Sequence, residues 1–510
     1  MRRKHADTRI GGLAAFVLIC VPWVAAAARP SDANGQGPLE IRMGQAVLMA
    51  LTNNRALSVQ RLNPEIQQTF EQVERAAFDP VVAAEGAFER AHASTNGSLE
   101  DMTEIVTGSL GVTQYLPTGT RLGATMTTER DSIGRPESTS SAGLALTQAL
   151  LQGRPVAVNL ASLRQARLNT DISAYELRGF AEALVAAVES AYWECTLAHR
   201  RVEILGKSLT LAEQQLNEVE QRIRVGSLPE TELAAAQAEV ALRREALINA
   251  RSGLSTARLL LLRLIAPDAL RGPRVELLLM TDPAVPEVNL GTIDSHVAVA
   301  LQNRPDMNQA RMKVQNGDLE LVKTRNGLLP KMDLFIRLGD TGYAESFGES
   351  VNELDGKDPE VAAGVSVEFP IRNREARAIH QHALFSREQM GESLKNLEDL
   401  VCVDVESAYI EVERTREQVV ATATTRRFQE EKLRAETVKF KVGRSTALLV
   451  GQTQRDLVLS QLAEVLVVVR HLEALVDLFR LEGSLLERRG VSAPGRQPTL
   501  TPQSPAPAVR

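Results

Sequence analysis

The chain has 510 residues, of which 58 are basic and 64 acidic, and its formal net charge is −6. The two signs are interspersed without a basic stripe, so the composition does not favour a nucleic-acid partner. Aromatic residues make up only 4% of the chain, which is few for several compact cores, and the helical segments are rich in Leu, Ala, Glu, Arg and Gln, as in coiled coils.

The N-terminus predicts a secretory signal. A basic start, an apolar run over residues 11–23 and a stretch of alanines assign residues 1–28 to a signal peptide, with a loose leader over 29–40. The alternative is a membrane anchor, but the apolar run is well short of the ~20 residues that a spanning helix needs. Lipidation of Cys20 is disfavoured because Ile19 stands where a small residue should precede it.

A first unit is predicted over residues 41–266, and it begins with a helical pattern over 41–76 that is expected to break near Pro64. Strands follow between 80 and 150, where side chains alternate between apolar and small polar types, and they include a hairpin over 104–129. Alternation of this kind suits strands with one lipid face and one lumen face.

A long helical hairpin over residues 156–265 completes this unit. Its first helix, from about 157 to 225, would be ~100 Å long at the usual rise. Apolar residues step by three and four along it, at Val202, Leu205, Leu209, Ala212, Leu216, Val219 and Ile223. Such a period indicates helices that coil about neighbours, and a hairpin this long needs neighbours to cover its apolar seam.

A second unit is predicted over residues 291–485, after a proline-containing linker over 267–290. It carries an opening helix, strands over 331–369 and another long hairpin over 372–485. Residues 486–510 are proline-rich and are predicted to be a disordered tail.

The second unit repeats the first. The stretch Val188–Tyr192 returns as Val405–Tyr409, displaced by 217 positions, and Leu51–Asn53 corresponds to Leu301–Asn303, displaced by 250. A duplicated plan of strands and long helical hairpins is therefore expected, in a mainly α fold with β-strands. One chain has too few strands for its own pore, so we expect several copies to share one barrel, prolonged by their helices as a hollow cylinder.

Over roughly residues 41–485 the chain resembles the TolC-like outer membrane factors of Gram-negative bacteria, the outer membrane efflux proteins. The resemblance lies in the order and spacing of short motifs: Leu51–Asn54, Thr147–Leu151, Ala191-Tyr192, Arg224–Gly226 and Lys441–Gly443. It implies a homotrimer, a shared β-barrel in the outer membrane and a periplasmic α-helical barrel. It also implies a passive exit channel for efflux or type I secretion without a cofactor, with a periplasmic adaptor and an inner-membrane pump of the RND, ABC or a similar class as partners.

Two features depart from well-studied members, which contribute four strands per chain. The hairpin over 104–129 is additional, and the sequence leaves open whether it joins the barrel. Some members close the periplasmic end with aspartates that would fall at Leu449 and Gln452, with Glu232 at the matching place in the first half. An apolar constriction near Leu449 is the replacement hypothesis, and ordinary seam packing is the alternative.

The hairpin tips are candidate sites for docking an adaptor through its own helical hairpin. The candidate residues are Arg222, Arg224, Val225, Gly226, Lys439, Lys441, Val442, Gly443 and Arg444. For any single residue, a solvated basic end is the simpler interpretation.

Other residues offer weaker signals. His380 and His382 could bind a metal but are more simply solvated polar residues, while Cys195 and Cys402 are expected to be buried apolar-like residues. Tyr192 and Tyr409 are expected to pack in a core. No catalytic motif is present, so an enzyme is improbable. The main rival function is a periplasmic coiled-coil adaptor or scaffold protein.

Overall fold

A computed structural model describes residues 39–95, 98–131, 137–268, 277–286, 290–354, 356 and 359–492. The predicted signal peptide, almost all of the predicted leader, parts of the linker and the tail from residue 493 onwards lie outside these residues. Among the described residues, no helix is both long enough and apolar enough to cross a membrane.

The first half of the chain holds five strands and five helices among its described residues. In chain order they are β1 Leu39–Ile41, α1 Met43–Asn53, α2 Arg55–Ala76, β2 Val81–Thr95, β3 Ser98–Tyr115, β4 Thr120–Asp131, β5 Glu137–Ala149, α3 Val156–Asn159, α4 Ala161–Arg224 and α5 Thr231–Ile265.

The second half repeats this order with fewer strands in the described residues. Its elements are β6 Leu277–Leu279, α6 Ile293–Asn303, α7 Pro305–Gly327, β7 Lys331–Ala344, α8 Phe347–Asn352, β8 Pro359–Glu368, α9 Arg374–Lys441, α10 Ala447–Leu481 and α11 Leu485–Arg488.

The predicted helix break is displaced from Pro64 to Asn54. Asn54 has an extended backbone, and its side-chain oxygen accepts a hydrogen bond from the Leu57 N–H at 3.0 Å, so it caps the start of α2. Pro64 lies inside α2. The prediction of a break at Pro64 was therefore wrong, because a capping side chain decided the boundary.

Six strands form one antiparallel sheet in the order β2-β3-β4-β5-β7-β8. The hairpin predicted over 104–129 lies inside this sheet as β3 and β4, which are each paired on both sides. β2 and β8 are the two edges of the described sheet.

The helices form a layer that follows the same order as the strands. α2 and α5 lie along one side of α4, α7 and α10 lie along its other side, and α9 packs on the far side of α7 and α10. The helical layer of one chain thus consists of four rods. Two rods are the single long helices α4 and α9, and the other two are pairs of shorter helices, α2 with α5 and α7 with α10.

A belt of buried residues surrounds the middle of α4 and holds the two halves together. Tyr192 is fully buried there, donates a hydrogen bond to the Ile41 carbonyl at 3.0 Å and accepts one from the Thr281 N–H at 3.1 Å. These contacts fix β1 beside β6 as a small parallel sheet. The predicted leader is therefore not wholly loose, since its last two residues belong to β1, and the linker contributes β6.

The tail also begins later than predicted. Residues 485–488 form α11, and Arg489 donates two hydrogen bonds to the buried Glu189 carboxylate at 2.6 and 2.7 Å. Paired, charge-assisted contacts of this kind order the chain past residue 486.

Candidate functional site

The sheet has one apolar face that runs without interruption across all six strands. The paired residues Val82, Val112, Ala124, Leu144, Leu338 and Val361 lie side by side on it. Large apolar side chains on this face are exposed in the single chain, including Phe88, Leu110, Leu144 and Val365. A continuous exposed apolar surface of this kind marks a site for lipid or protein contact.

The opposite face of the sheet is polar and consists mostly of small side chains. In the centre it carries glycine, serine and threonine, and towards the strand ends it carries charges of both signs. The charged members include Glu85, Glu89, Arg121, Glu129, Asp131, Lys331, Asp333, Arg337, Glu360 and Glu368. The alternation predicted from the sequence is thus present in the register of the sheet.

One edge of the helical layer, on α2, is also apolar and exposed. Its open face consists of Val59, Leu62, Ile66, Phe70 and Val73, all of which are at least half exposed. This face was not predicted from the sequence, although its residues recur every three or four positions along α2, which is the spacing of one helix face.

The other edge, on α9, has the same character. Its exposed apolar side chains include Ile379, Phe385, Leu400, Val403, Ile410 and Val420. Much of the apolar surface of α9 thus has no partner within the described part of the chain.

The two hairpin tips have the same backbone geometry. Gly226 and Gly443 adopt φ values of +69° and +73°. The N–H of Ser227 donates to the Arg222 carbonyl, and the N–H of Arg444 donates to the Lys439 carbonyl, at 2.8 Å each. Both helices therefore end in the same left-handed glycine turn.

The candidate tip residues fall into two groups. Arg222 forms an ion pair with Glu218 at 2.6 Å and lies 4.9 Å from the centre of the Phe440 ring, and Lys439 forms an ion pair with Glu436 at 3.0 Å. Arg222 is partly buried against the other hairpin, so it is a poor candidate for docking. Lys439 is exposed and pairs only with a residue of its own helix, so its ion pair does not exclude docking.

The outermost tip residues remain accessible. Arg224, Lys441 and Arg444 are exposed and take part in no ion pair within the described part of the chain. Val225 and Val442 are 78% and 65% exposed. Each tip therefore presents a basic residue, an exposed valine and a glycine turn.

The three predicted constriction residues lie just beyond the tips. Leu449 and Gln452 are exposed on α10, where the neighbouring Val450 fills the seam, and Glu232 is half-buried in the first turn of α5. The alternative of ordinary seam packing at Leu449 is thus not supported within one chain.

The histidines and cysteines do not form a metal site in the described residues, which contain no cluster of three or more potential ligands. His380 Nδ1 lies 3.0 Å from the Thr324 hydroxyl on α7, and His382 is exposed. Both cysteines are free, and burial raises the pKa of the Cys195 thiol to about 11. Cys402 is only partly buried, which corrects the expectation for it.

The two repeat-related tyrosines have different surroundings. Tyr192 lies in the belt core as expected, but Tyr409 is partly exposed, and its hydroxyl donates to the Gly291 carbonyl at 3.3 Å. The difference follows from the small parallel sheet, which covers the first position but not the second.

A buried charged cluster in the belt was not anticipated from the sequence. Arg178 contacts Glu182 at 3.2 Å and donates to the Gly483 carbonyl at 2.9 Å, so it joins α4 to the turn after α10. Burial raises the pKa of Glu182 to about 7, against the opposing effect of Arg178. Only the position of these charges within a helical seam could have indicated that they are buried.

Comparison with known proteins supports this architecture. Residues 47–266 and 297–484 match the family model of the outer membrane efflux proteins. The outer membrane efflux protein BepC of Brucella suis is 23% identical over 454 residues, which cover 87% of this chain and 86% of BepC.

Solved channels share the fold at lower identity. The CmeC outer membrane channel of Campylobacter jejuni is 14% identical with a TM-score of 0.64, over 87% of this chain and 86% of CmeC. The MtrE outer membrane channel of Neisseria gonorrhoeae, in its open state, is 19% identical with a TM-score of 0.63, over 87% of this chain and 89% of MtrE.

These matches confirm the predicted resemblance, the mainly α fold with strands, and the location in the outer membrane. They support an exit channel for efflux and do not favour the periplasmic adaptor or scaffold. The family consists of outer membrane channels, which are not known as enzymes. The chain belongs to the outer membrane efflux protein family.

Proposed function

We propose that three copies of this chain close into a ring that forms a passive exit duct across the outer membrane. The observation that carries the proposal is the continuous apolar face of the sheet, which ends at β2 and β8, the two edge strands of the described sheet. Edge strands with unpaired backbone groups recruit further strands, and closure into a barrel removes the edges.

The helical edges support the same closure. The apolar faces of α2 and α9 lie on the two sides of the chain that β2 and β8 also occupy. A ring in which α9 of one copy packs against α2 and α5 of the next would bury both faces. Burial of one such large side chain stabilises by about 2 kcal/mol.

Transport through this duct is passive in the proposal, with the polar face of the sheet lining the lumen. Selectivity would come from lumen width and charge. Energy would come from an inner-membrane pump, coupled through a periplasmic adaptor.

The purified mature protein should require detergent, migrate as a heat-modifiable trimer and conduct ions in a planar lipid bilayer. These three measurements test the proposal together. A monomer that stays dissolved in water without detergent would contradict it.

The tips are the proposed adaptor surface. Charge reversal of the accessible cations in the double variant Arg224→Glu, Lys441→Glu should abolish capture of the adaptor in a pull-down. The matched control is Arg434→Glu, which reverses an exposed charge on α9 two turns away from the tip. Unchanged capture by the double variant would refute docking through these cations.

The periplasmic constriction is proposed at Leu449, with Gln452 on the next turn of α10 and Glu232 in the first turn of α5 as its further members. An apolar ring resists the passage of ions by excluding water. The variant Leu449→Ser should therefore raise the conductance of the closed state, whereas an unchanged closed-state conductance would remove Leu449 from the gate.

A further inference from the structure

The two halves of the chain contribute different numbers of strands. β2 begins 250 positions before β7, and the same displacement relates α2 to α7. In the second half β7 pairs directly with β8, which leads into the long helix α9. In the first half β3 and β4 stand between β2 and β5, so this half carries one additional hairpin.

The additional hairpin is a full part of the wall. β3 pairs with β2 and β4, and β4 pairs with β5, over most of their lengths. Its apolar residues Val106, Leu110 and Met126 share the apolar face of the other strands. A hairpin lying outside the membrane would not need to continue this face.

The additional hairpin increases the width of the sheet along the circumference of the proposed ring. Four rods at a spacing of about 9 Å cover about 36 Å of a ring. Six strands spaced about 4.8 Å apart and tilted by about 40° cover about 38 Å, whereas four strands would cover only about 25 Å. The sheet therefore matches the helical layer in width only because β3 and β4 are present.

We propose that the β3–β4 hairpin widens the outer-membrane segment to the width of the helical duct, so that this segment does not limit the size of the cargo. The inference rests on the proposed ring of three copies, which would then hold eighteen strands. Barrel diameter grows about linearly with strand number, and barrels of sixteen to eighteen strands leave an aqueous channel. The lumen is thus about 1.5-fold wider than four strands per chain would give.

The side chains on the polar face of the hairpin are consistent with an open lumen. The central positions of this face are Thr107, Ser109, Gly111, Thr113, Gly123, Thr125 and Thr127, which are all small and uncharged, and the charged Arg121 and Glu129 lie towards the two ends of β4. None of the side chains at the central positions reaches far into the space that the sheet encloses.

The connection between β7 and β8 contains a described helix that lies away from the lumen face. This helix, α8, packs on the apolar-face side of β5 and β7, where the Ser350 hydroxyl lies 2.7 Å from the Ser140 hydroxyl. Gly342 permits this approach, since a Cβ there would lie 2.2 Å from the Ser350 carbonyl oxygen. This segment therefore lies against the outside of the wall.

The test measures how large a polymer can enter the lumen from outside intact cells. The reporter is Ser366→Cys, on the polar face near the periplasmic end of β8, in a chain with Cys195→Ala and Cys402→Ala. Polyethylene glycol maleimides of graded size are added to cells, and the largest one that reacts is recorded. The comparison is with the same chain lacking residues 98–131, in which β2 would pair with β5 as β7 pairs with β8.

The full chain should admit polymers with a limiting radius about 1.5-fold larger than the deletion variant admits. Equal limits in the two chains would overturn the inference. The matched control Val365→Cys lies on the apolar face and is exposed in the single chain, as Ser366 is. If a small charged maleimide labelled Val365→Cys as readily as Ser366→Cys, the ring itself would be refuted, so the two failures are distinguishable.

A second pair of variants covers the case in which the deletion prevents folding. Thr125 and Ala124 are neighbours on β4, point to opposite faces of the sheet and are both exposed in the single chain. In the full chain the small charged maleimide should label Thr125→Cys and not Ala124→Cys. Equal labelling of both would show that the hairpin lies outside the barrel and would overturn the inference.

Discussion

The two halves of the chain share one plan but differ where their surroundings differ, and α2 and α7 illustrate this most clearly. α7 packs between α4 and α9 of its own chain, whereas α2 packs along α4 and leaves its other face open. With the displacement of 250 positions, Ile66 and Phe70 on the open face of α2 correspond to Asn316 and Glu320 on α7.

Asn316 and Glu320 show what that face of the helix normally contacts. The Gln165 side chain on α4 donates to the Asn316 carbonyl at 3.2 Å and to the Glu320 carboxylate at 3.1 Å, and the Asn316 side chain donates to Asn169 at 2.8 Å. At these two positions, the contact of α7 with α4 inside one chain is thus polar. The matching contact between copies would be apolar, because it must draw separate chains together.

The largest effect, the loss of the trimer, is expected when the open face of α2 is given the polar residues that α7 carries at the matching positions. The double variant Ile66→Asn, Phe70→Glu should fold but fail to form trimers, because each interface loses about 2 kcal/mol per apolar side chain and gains a charge without a partner. Native mass spectrometry in detergent measures the loss. The control Gln68→Glu adds the same charge to an exposed position of α2 outside the apolar face, and trimers that survive the double variant would refute this interface.

The next largest effect is expected on the stability of the barrel, when an arginine is placed on the additional hairpin of the first half or on the sheet of the second half. Leu110→Arg on β3 and Leu338→Arg on β7 should each destabilise the folded barrel by about 2–4 kcal/mol, because both place a charge on the lipid face near the membrane centre. Urea unfolding in lipid vesicles measures this cost. Ser109→Arg, one residue away on the polar face, should cost little, and a negligible cost for Leu110→Arg would place β3 outside the membrane.

The sequence predicted the parts that depend on periodicity. The strand faces follow from period-two alternation, and the long helices and their glycine tips follow from the seam and the repeat. The face of α2 is equally periodic at Val59, Leu62, Ile66 and Phe70, so the same reasoning could have predicted it.

Other features could not be predicted because they depend on distant residues. Whether β3 and β4 join the sheet is decided by pairing with β2 and β5, and the pairing of β1 with β6 depends on Tyr192 lying beneath both. Likewise, Arg222 looks like a free tip cation in the sequence, and only the position of Phe440, which belongs to the other hairpin, removes it from that set.

A smaller effect is expected on the pH dependence of stability, from Glu473 on α10 in the seam between the two halves. Burial, together with Glu194 on α4 and Asp477, raises the pKa of Glu473 to about 7, against the opposing effect of Arg470. The folded state thus keeps a proton that the unfolded chain loses near its ordinary value of 4.5. The free energy of unfolding should therefore fall as the pH rises from about 4.5 to 7, by on the order of 1 kcal/mol.

Glu473→Gln should reduce this dependence, as read from urea unfolding across that pH range. The exposed Glu417→Gln on α9 is the control and should leave the dependence unchanged. Because Glu473 belongs to the seam inside one chain, the pH dependence of trimer dissociation should be the same in the variant as in the natural protein. A variant that changed trimer dissociation alone would assign Glu473 to the contact between copies.

The smallest effect on stability is expected at the two hairpin tips, where the two halves have the same backbone geometry. Gly226→Ala and Gly443→Ala should each destabilise the chain by about 1 kcal/mol, since alanine resists the left-handed backbone. No atom lies within 4 Å of a Cβ added at either position, so the backbone is the whole cause and the costs should be equal. Gly206→Ala inside α4, which also meets nothing within 4 Å, should raise the melting temperature instead, because alanine favours a helix. Unequal costs at the two tips would show that they differ in their contacts within the ring.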